Sequence, residues 1–145
     1  MQSADLERAQ TYLRSFIGRT LSSIECDEFH MELVFEDDAR FQTHSCWRFM
    51  HGNCLLYGHG DIGGQVSKDV FAGLIGLKVV STSMSSCGDT DLRFGKDHSI
   101  QTISDTVQFE TWDAHVEEGW VIFSSGSTTV FPPPARLAAT DGEDQ

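Results

Sequence analysis

Basic residues are scarce in this chain: 10 Lys and Arg stand against 22 Asp and Glu, a formal net charge of −12 over 145 residues. Recognition of a phosphate backbone depends on clustered Lys and Arg and on the counterions they release, so direct nucleic-acid binding is not expected. An anionic membrane surface is disfavoured for the same reason. Long apolar runs are also missing. The longest candidate, residues 70–77, contains two glycines and falls far short of the ~20 apolar residues a membrane-spanning helix needs. The start of the chain carries Asp5 and Glu7 in place of a basic and then apolar stretch, so no secretion signal is expected. Cysteine is limited to Cys26, Cys46, Cys54 and Cys87, irregularly spaced; this favours a reduced, cytoplasmic chain over a disulfide framework. The only three prolines are consecutive, at 132–134, where they end sheet pairing. No Gly-x-Ser-x-Gly elbow, His-Glu-x-x-His zinc helix or phosphate-binding Lys loop occurs, so no motif names a reaction.

What the chain does have is a core's worth of apolar residues, with 39% hydrophobic, ten Phe and three Trp. That supports one domain over residues 1–134, followed by a flexible acidic tail over 135–145. The tail contributes −2 to the net charge, so the acidity belongs to the folded body.

Leu6, Ala9, Leu13, Phe16 and Ile17 recur at three- and four-residue spacing, which predicts an amphipathic helix over residues 4–17 stopped by Gly18. The period then changes to two. Met31, Leu33 and Phe35 alternate with Glu32, Val34 and Glu36, and polar reversals at 36–39 and 51–53 predict an antiparallel succession of strands. A glycine-rich break at 58–64 leads into a short connecting helix over 66–75. Strands are then expected at 77–82, 92–94, 100–103, 107–112, 120–123 and 128–131. The fold class is therefore α+β, an N-terminal helix with two antiparallel β-meanders packed on each other. Leu33-x-Phe35 followed by Trp47 is echoed by Leu92-x-Phe94 followed by Trp112, which raises the prospect of an internal duplication.

Three places hold residues able to do chemistry. Gly58-His59-Gly60-Asp61-Ile62-Gly63 has the written form of a dinucleotide signature, but that motif needs a parallel strand feeding a helix, and Asp61 would oppose a pyrophosphate; no cofactor is expected. A cleft near 58–64 using His59 and Asp61 is the alternative, small-molecule or enzymatic reading. His44, Cys46, His51, Cys54 and His59 are dense enough in soft ligands for a metal, yet Cys46 and Cys54 are separated by seven residues, outside structural zinc spacing; no metal is expected. Glu110, Asp113, His115, Glu117 and Glu118 form a second polar cluster, expected to be a solvated edge.

The acids are more informative as surface. Glu36, Asp37 and Asp38, and later Glu117 and Glu118, fall at inferred turns, where they could share one rim and attract a basic protein, with Trp47 as an apolar anchor. The paired Leu-x-Phe strands, turn acids and Glu110-x-Trp112 resemble small bacterial β-rich proteins of unknown function, including some associated with toxin immunity, over residues 21–131. That resemblance implies an acidic immunity protein or inhibitor that sequesters a basic toxin without doing chemistry. Residues Glu36, Asp37, Asp38, Trp47, Glu117 and Glu118 are the expected contacts.

Overall fold

A computed structural model describes residues 3–62, 68–104, 110–117, 119–124 and 127–131. The expected tail, residues 135–145, lies outside the described residues. The N-terminal helix, α1, spans Ser3–Arg14. It places Ala9 and Leu13 in the core and leaves Leu6 partly buried. Phe16 is also buried, but Ile17 is 46% exposed. The reason is that the helix unwinds after Arg14 into tighter turns, with Phe16 N–H donating to the Leu13 carbonyl, and the Gly18 N–H then donates to the Val79 carbonyl at 2.8 Å. Docking onto the second half of the chain ends the helix three residues before its apolar spacing does.

Among the described residues eleven strands follow: β1 (Leu21–Cys26), β2 (Met31–Phe35), β3 (Arg40–Thr43), β4 (Cys46–His51), β5 (Cys54–Gly58), β6 (Val79–Met84), β7 (Thr90–Phe94), β8 (His98–Ile103), β9 (Glu110–Val116), β10 (Gly119–Ser124) and β11 (Ser127–Phe131). In β2 the alternation holds, with Met31, Leu33 and Phe35 buried between half-buried neighbours. The expected connecting helix is a 3-10 helix, Lys68–Leu74, which buries Phe71 and Leu74.

Every strand pair is antiparallel, in one sheet ordered β1-β2-β3-β9-β10-β11 and another ordered β5-β4-β8-β7-β6. The fold is a β-rich α+β architecture. The strands of each half are shared between the sheets. Strands β1–β3 share a sheet with β9–β11 from the second half, and β6–β8 share the other with β4 and β5 from the first. The chain changes layers at residues 44–45 because that corner is pinned: His44 N–H and Thr43 Oγ1 both donate to the Thr111 carbonyl.

The inner faces enclose one apolar core. Phe16 meets Phe35 at 5.1 Å between ring centroids, Phe35 stacks on Phe94 of the opposite sheet, and Trp112 stacks between Phe41 and Phe123. Such aromatic pairs contribute about 0.5–1.5 kcal/mol each beyond area burial. Helix α1 packs against β6 of one sheet and β9–β11 of the other. Among the described residues, no helix is long and apolar enough to cross a membrane.

Candidate functional site

Because Leu33, Phe41, Ala114 and Val121 pair across β2, β3, β9 and β10 and point into the core, their neighbours must point outward. One outward rung holds Glu32, Gln42, Asp113 and Ile122; the next holds Val34, Arg40, His115 and Trp120. This outer face carries the polar cluster of β9 and, at one end, the acidic turns.

Glu110 and Asp113 are three residues apart, which on a regular strand would place them on opposite faces. A β-bulge changes this. Phe123 pairs with Trp112 while the next residue, Ser124, pairs with Glu110, so Thr111 is an extra residue in β9. The bulge turns Glu110 onto the face of Asp113. The pinned corner after β3 delivers His44 to the same place, 69 residues away in sequence from Asp113. His44 Nε2 lies 3.0 Å from Glu110 Oε2 and 3.2 Å from Asp113 Oδ2. Asp113 Oδ1 lies 3.3 Å from His115 Nε2.

Asp113 was expected on a solvated edge, but its strand is internal to the sheet and its side chain is only 7% exposed. Burial pushes its carboxyl up to about 8, reinforced by a hydrogen bond and the negative charge of Glu110 and by Glu32. Near neutral pH the carboxyl therefore holds a proton instead of standing as a bare buried anion. Burial also lowers the pKa of His115, and Arg40 adds to that effect, keeping the imidazole neutral. A proton-bearing carboxyl between two imidazoles is equipped to give or take a proton, and the same atoms are oxygen and nitrogen ligands.

The acidic turn at 36–38 is held rigid. Asp38 has φ of +68°, a left-handed conformation that Asp tolerates better than most residues, and Asp37 Oδ1 accepts the Ala39 N–H. Glu36, Asp37 and Asp38 are all exposed. Arg19 forms an ion pair with Asp37. Glu117, also exposed, comes from the β9–β10 turn, and with Asp37, Asp38, Ala39, His115 and Val116 it lines an open recess of about 320 Å³. Two acidic turns far apart in sequence thus meet at one end of the sheet. Glu118 lies outside the described residues.

Trp47 cannot serve as a surface anchor. The pleat of β4 points Trp47 and Phe49 inward, opposite Thr102 and Ile100, and Trp47 is 1% exposed against Tyr57 and Phe71. Trp120 takes the exposed position: it is 36% accessible and stacks on His115 at 4.6 Å.

The alternative cleft residues are used structurally. Asp61 Oδ2 accepts the Gly58 N–H at 2.8 Å, closing a 3-10 turn, and His59 Nε2 lies 3.0 Å from the Glu28 carbonyl. Gly63 and Gly64 lie outside the described residues. Among the described residues, the suspected His and Cys ligands form no metal-sized group with one another: His44 joins Glu110 and Asp113 instead, His51 stacks on His98, and Cys54 is exposed. No protein-family model, curated protein or solved structure matches the chain.

Proposed function

We propose that the protein binds a basic protein partner through the rim formed by Glu36, Asp37, Asp38 and Glu117, acting as an immunity protein or inhibitor that covers a toxin's cationic surface. The observation that carries this reading is the convergence of two acidic turns on one recess. Arg19 offsets the charge of Asp37, so the attractive field comes chiefly from Glu36, Asp38 and Glu117. An Arg or Lys side chain entering the recess would meet carboxylates on two sides and His115 at its wall, with Trp120 stacked on that imidazole as apolar contact area for the partner. The net charge of −12 extends the attraction beyond contact distance.

On this reading the protein works in the cytoplasm of a bacterial cell, where its cysteines stay reduced, and it binds neither nucleic acid nor membrane. The two halves also read as a duplication whose hairpins have exchanged sheets: Thr43 pairs with Trp112 as Thr102 pairs with Trp47, and Phe41 pairs with Ala114 as Ile100 pairs with Phe49.

The test is kinetic. The gene product encoded beside this chain, where it is basic, is the partner to assay. Its association rate should fall as salt rises, because exposed charges are screened over ~8 Å at physiological ionic strength. Replacing Glu36, Asp38 and Glu117 with Lys should lower that rate by about tenfold or more while dissociation changes less. A rate indifferent to salt and to these substitutions would reject the rim as the contact surface.

A further inference from the structure

Beside the acidic recess, whose wall residue His115 touches Asp113, we infer that His44, Glu110 and Asp113 form a binding site for a divalent transition-metal cation of the Zn²⁺ type. Their three ligand atoms all lie within 4.8 Å of one another. A tetrahedral ion with bonds of ~2.1 Å holds neighbouring ligand atoms ~3.4 Å apart. The separations of 3.0 and 3.2 Å from His44 Nε2 to the two carboxylates need to open by only a few tenths of an ångström.

The donor set fits such an ion. One imidazole nitrogen with two carboxylate oxygens suits borderline divalent cations, whereas Mg²⁺ and Ca²⁺ prefer oxygen alone. Charge points the same way. Among the described residues, Glu110 and Asp113 hydrogen-bond each other and form ion pairs with imidazoles alone, and the nearby Arg40 is engaged with Glu32. A dication would offset the negative charge of Glu110 and of the buried Asp113, a task that no Lys or Arg ion pair performs among the described residues.

The scaffold holds the ligands in place before any ion arrives. The bulge at Thr111 turns Glu110 to the ligand face, and the Thr111 carbonyl accepts the His44 N–H at 2.9 Å. Strand β9 thus supplies two ligands and anchors the backbone of the third. The remaining Asp113 oxygen faces His115 Nε2, an outer partner of the kind that orients ligating carboxylates. Asp113 is buried, but His44 and Glu110 are 34% and 37% exposed in their side chains. Three protein ligands with a solvent-facing side leave a coordination position for water or a small anion, the form of a catalytic site more than of a structural one.

The experiment is calorimetric titration of Zn²⁺ into the full chain after removal of metal with a chelator, near neutral pH. The wild-type chain should take up one equivalent. His44→Ala and Glu110→Gln, both altering partly exposed side chains, should each keep the wild-type circular dichroism and lose affinity by ~100-fold or more. A Cys46→Ser/Cys54→Ser variant should bind as wild type does, and Co²⁺ loaded in place of zinc should show no thiolate charge-transfer band. Absence of zinc uptake by the wild-type chain, unchanged uptake by folded His44→Ala and Glu110→Gln, or loss of uptake in the cysteine variant would each overturn the assignment.

Discussion

Replacing Gly88 with Ala should be among the most damaging single-methyl changes in the protein, and its cost divides into two separable parts. Gly88 is buried in the β6–β7 turn with φ of +96°. A Cβ there would lie 2.3 Å from Phe123 Cε2 and 2.4 Å from Cζ. Phe123 has little room to retreat, because its ring stacks on Trp112 at 5.5 Å, and Trp112 Nε1 donates to the Gly88 carbonyl. The left-handed backbone costs about 1–2 kcal/mol for a residue with a Cβ, and overpacking costs about 1–3 kcal/mol more, giving roughly 2–5 kcal/mol together. Gly52 supplies the control: its φ is +58° and a Cβ would meet nothing within 4 Å, so Gly52→Ala should show backbone strain alone. Urea melts of both variants with matching denaturant slopes measure the difference directly. A Gly88→Ala midpoint equal to that of Gly52→Ala would refute the packing of Phe123 over this turn. Since Trp112 lies between Glu110 and Asp113 on β9, Gly88→Ala should also weaken zinc binding.

Phe35→Ala should destabilise the fold by about 3–5 kcal/mol in the same melts, since Phe35 is 1% exposed and packs on Phe16 and Phe94. Asp91 provides a pH-dependent test: burial raises its carboxyl above the ordinary 3.8, Arg93 partly opposing this. The folded chain then keeps a proton that the unfolded chain releases, so the stability tied to Asp91 is complete below the ordinary carboxylate pKa and is lost as pH rises through the raised one. Asp91→Asn should flatten the stability profile over that window. Trp120→Ala should leave the melting midpoint within about 0.5 kcal/mol of wild type, as for most surface changes, yet weaken partner binding; an equal loss of both would place Trp120 in the core.

Periodicity exposed much of the fold in the sequence. The alternation from Met31 to Phe35 marked β2, and the acids at 36–38 marked its turn, because both signals act over a few residues. Ile17 shows where local spacing stops deciding: its position fits the helical stripe, but Gly18 bonds to Val79, an interaction no window around the helix contains. Trp47 shows the same limit. Which side of β4 faces inward depends on pairing with β8, more than fifty residues away. The polar site was visible only in fragments, since His44 fell in one suspected cluster and Glu110 and Asp113 in another. Their union required the long-range pairing of β3 with β9 and a bulge that reverses one side chain. Neither leaves a local pattern.

The most direct measurement of the rim's role is paired capture from host lysate, using immobilised wild-type chain beside a folded Glu36→Lys/Asp38→Lys/Glu117→Lys variant. The expected result is a basic protein retained by the wild-type chain, released by salt and absent from the variant. Retention of the same proteins by both chains, or retention of none together with turnover of a small metabolite by the wild-type protein, would contradict partner binding through the acidic rim.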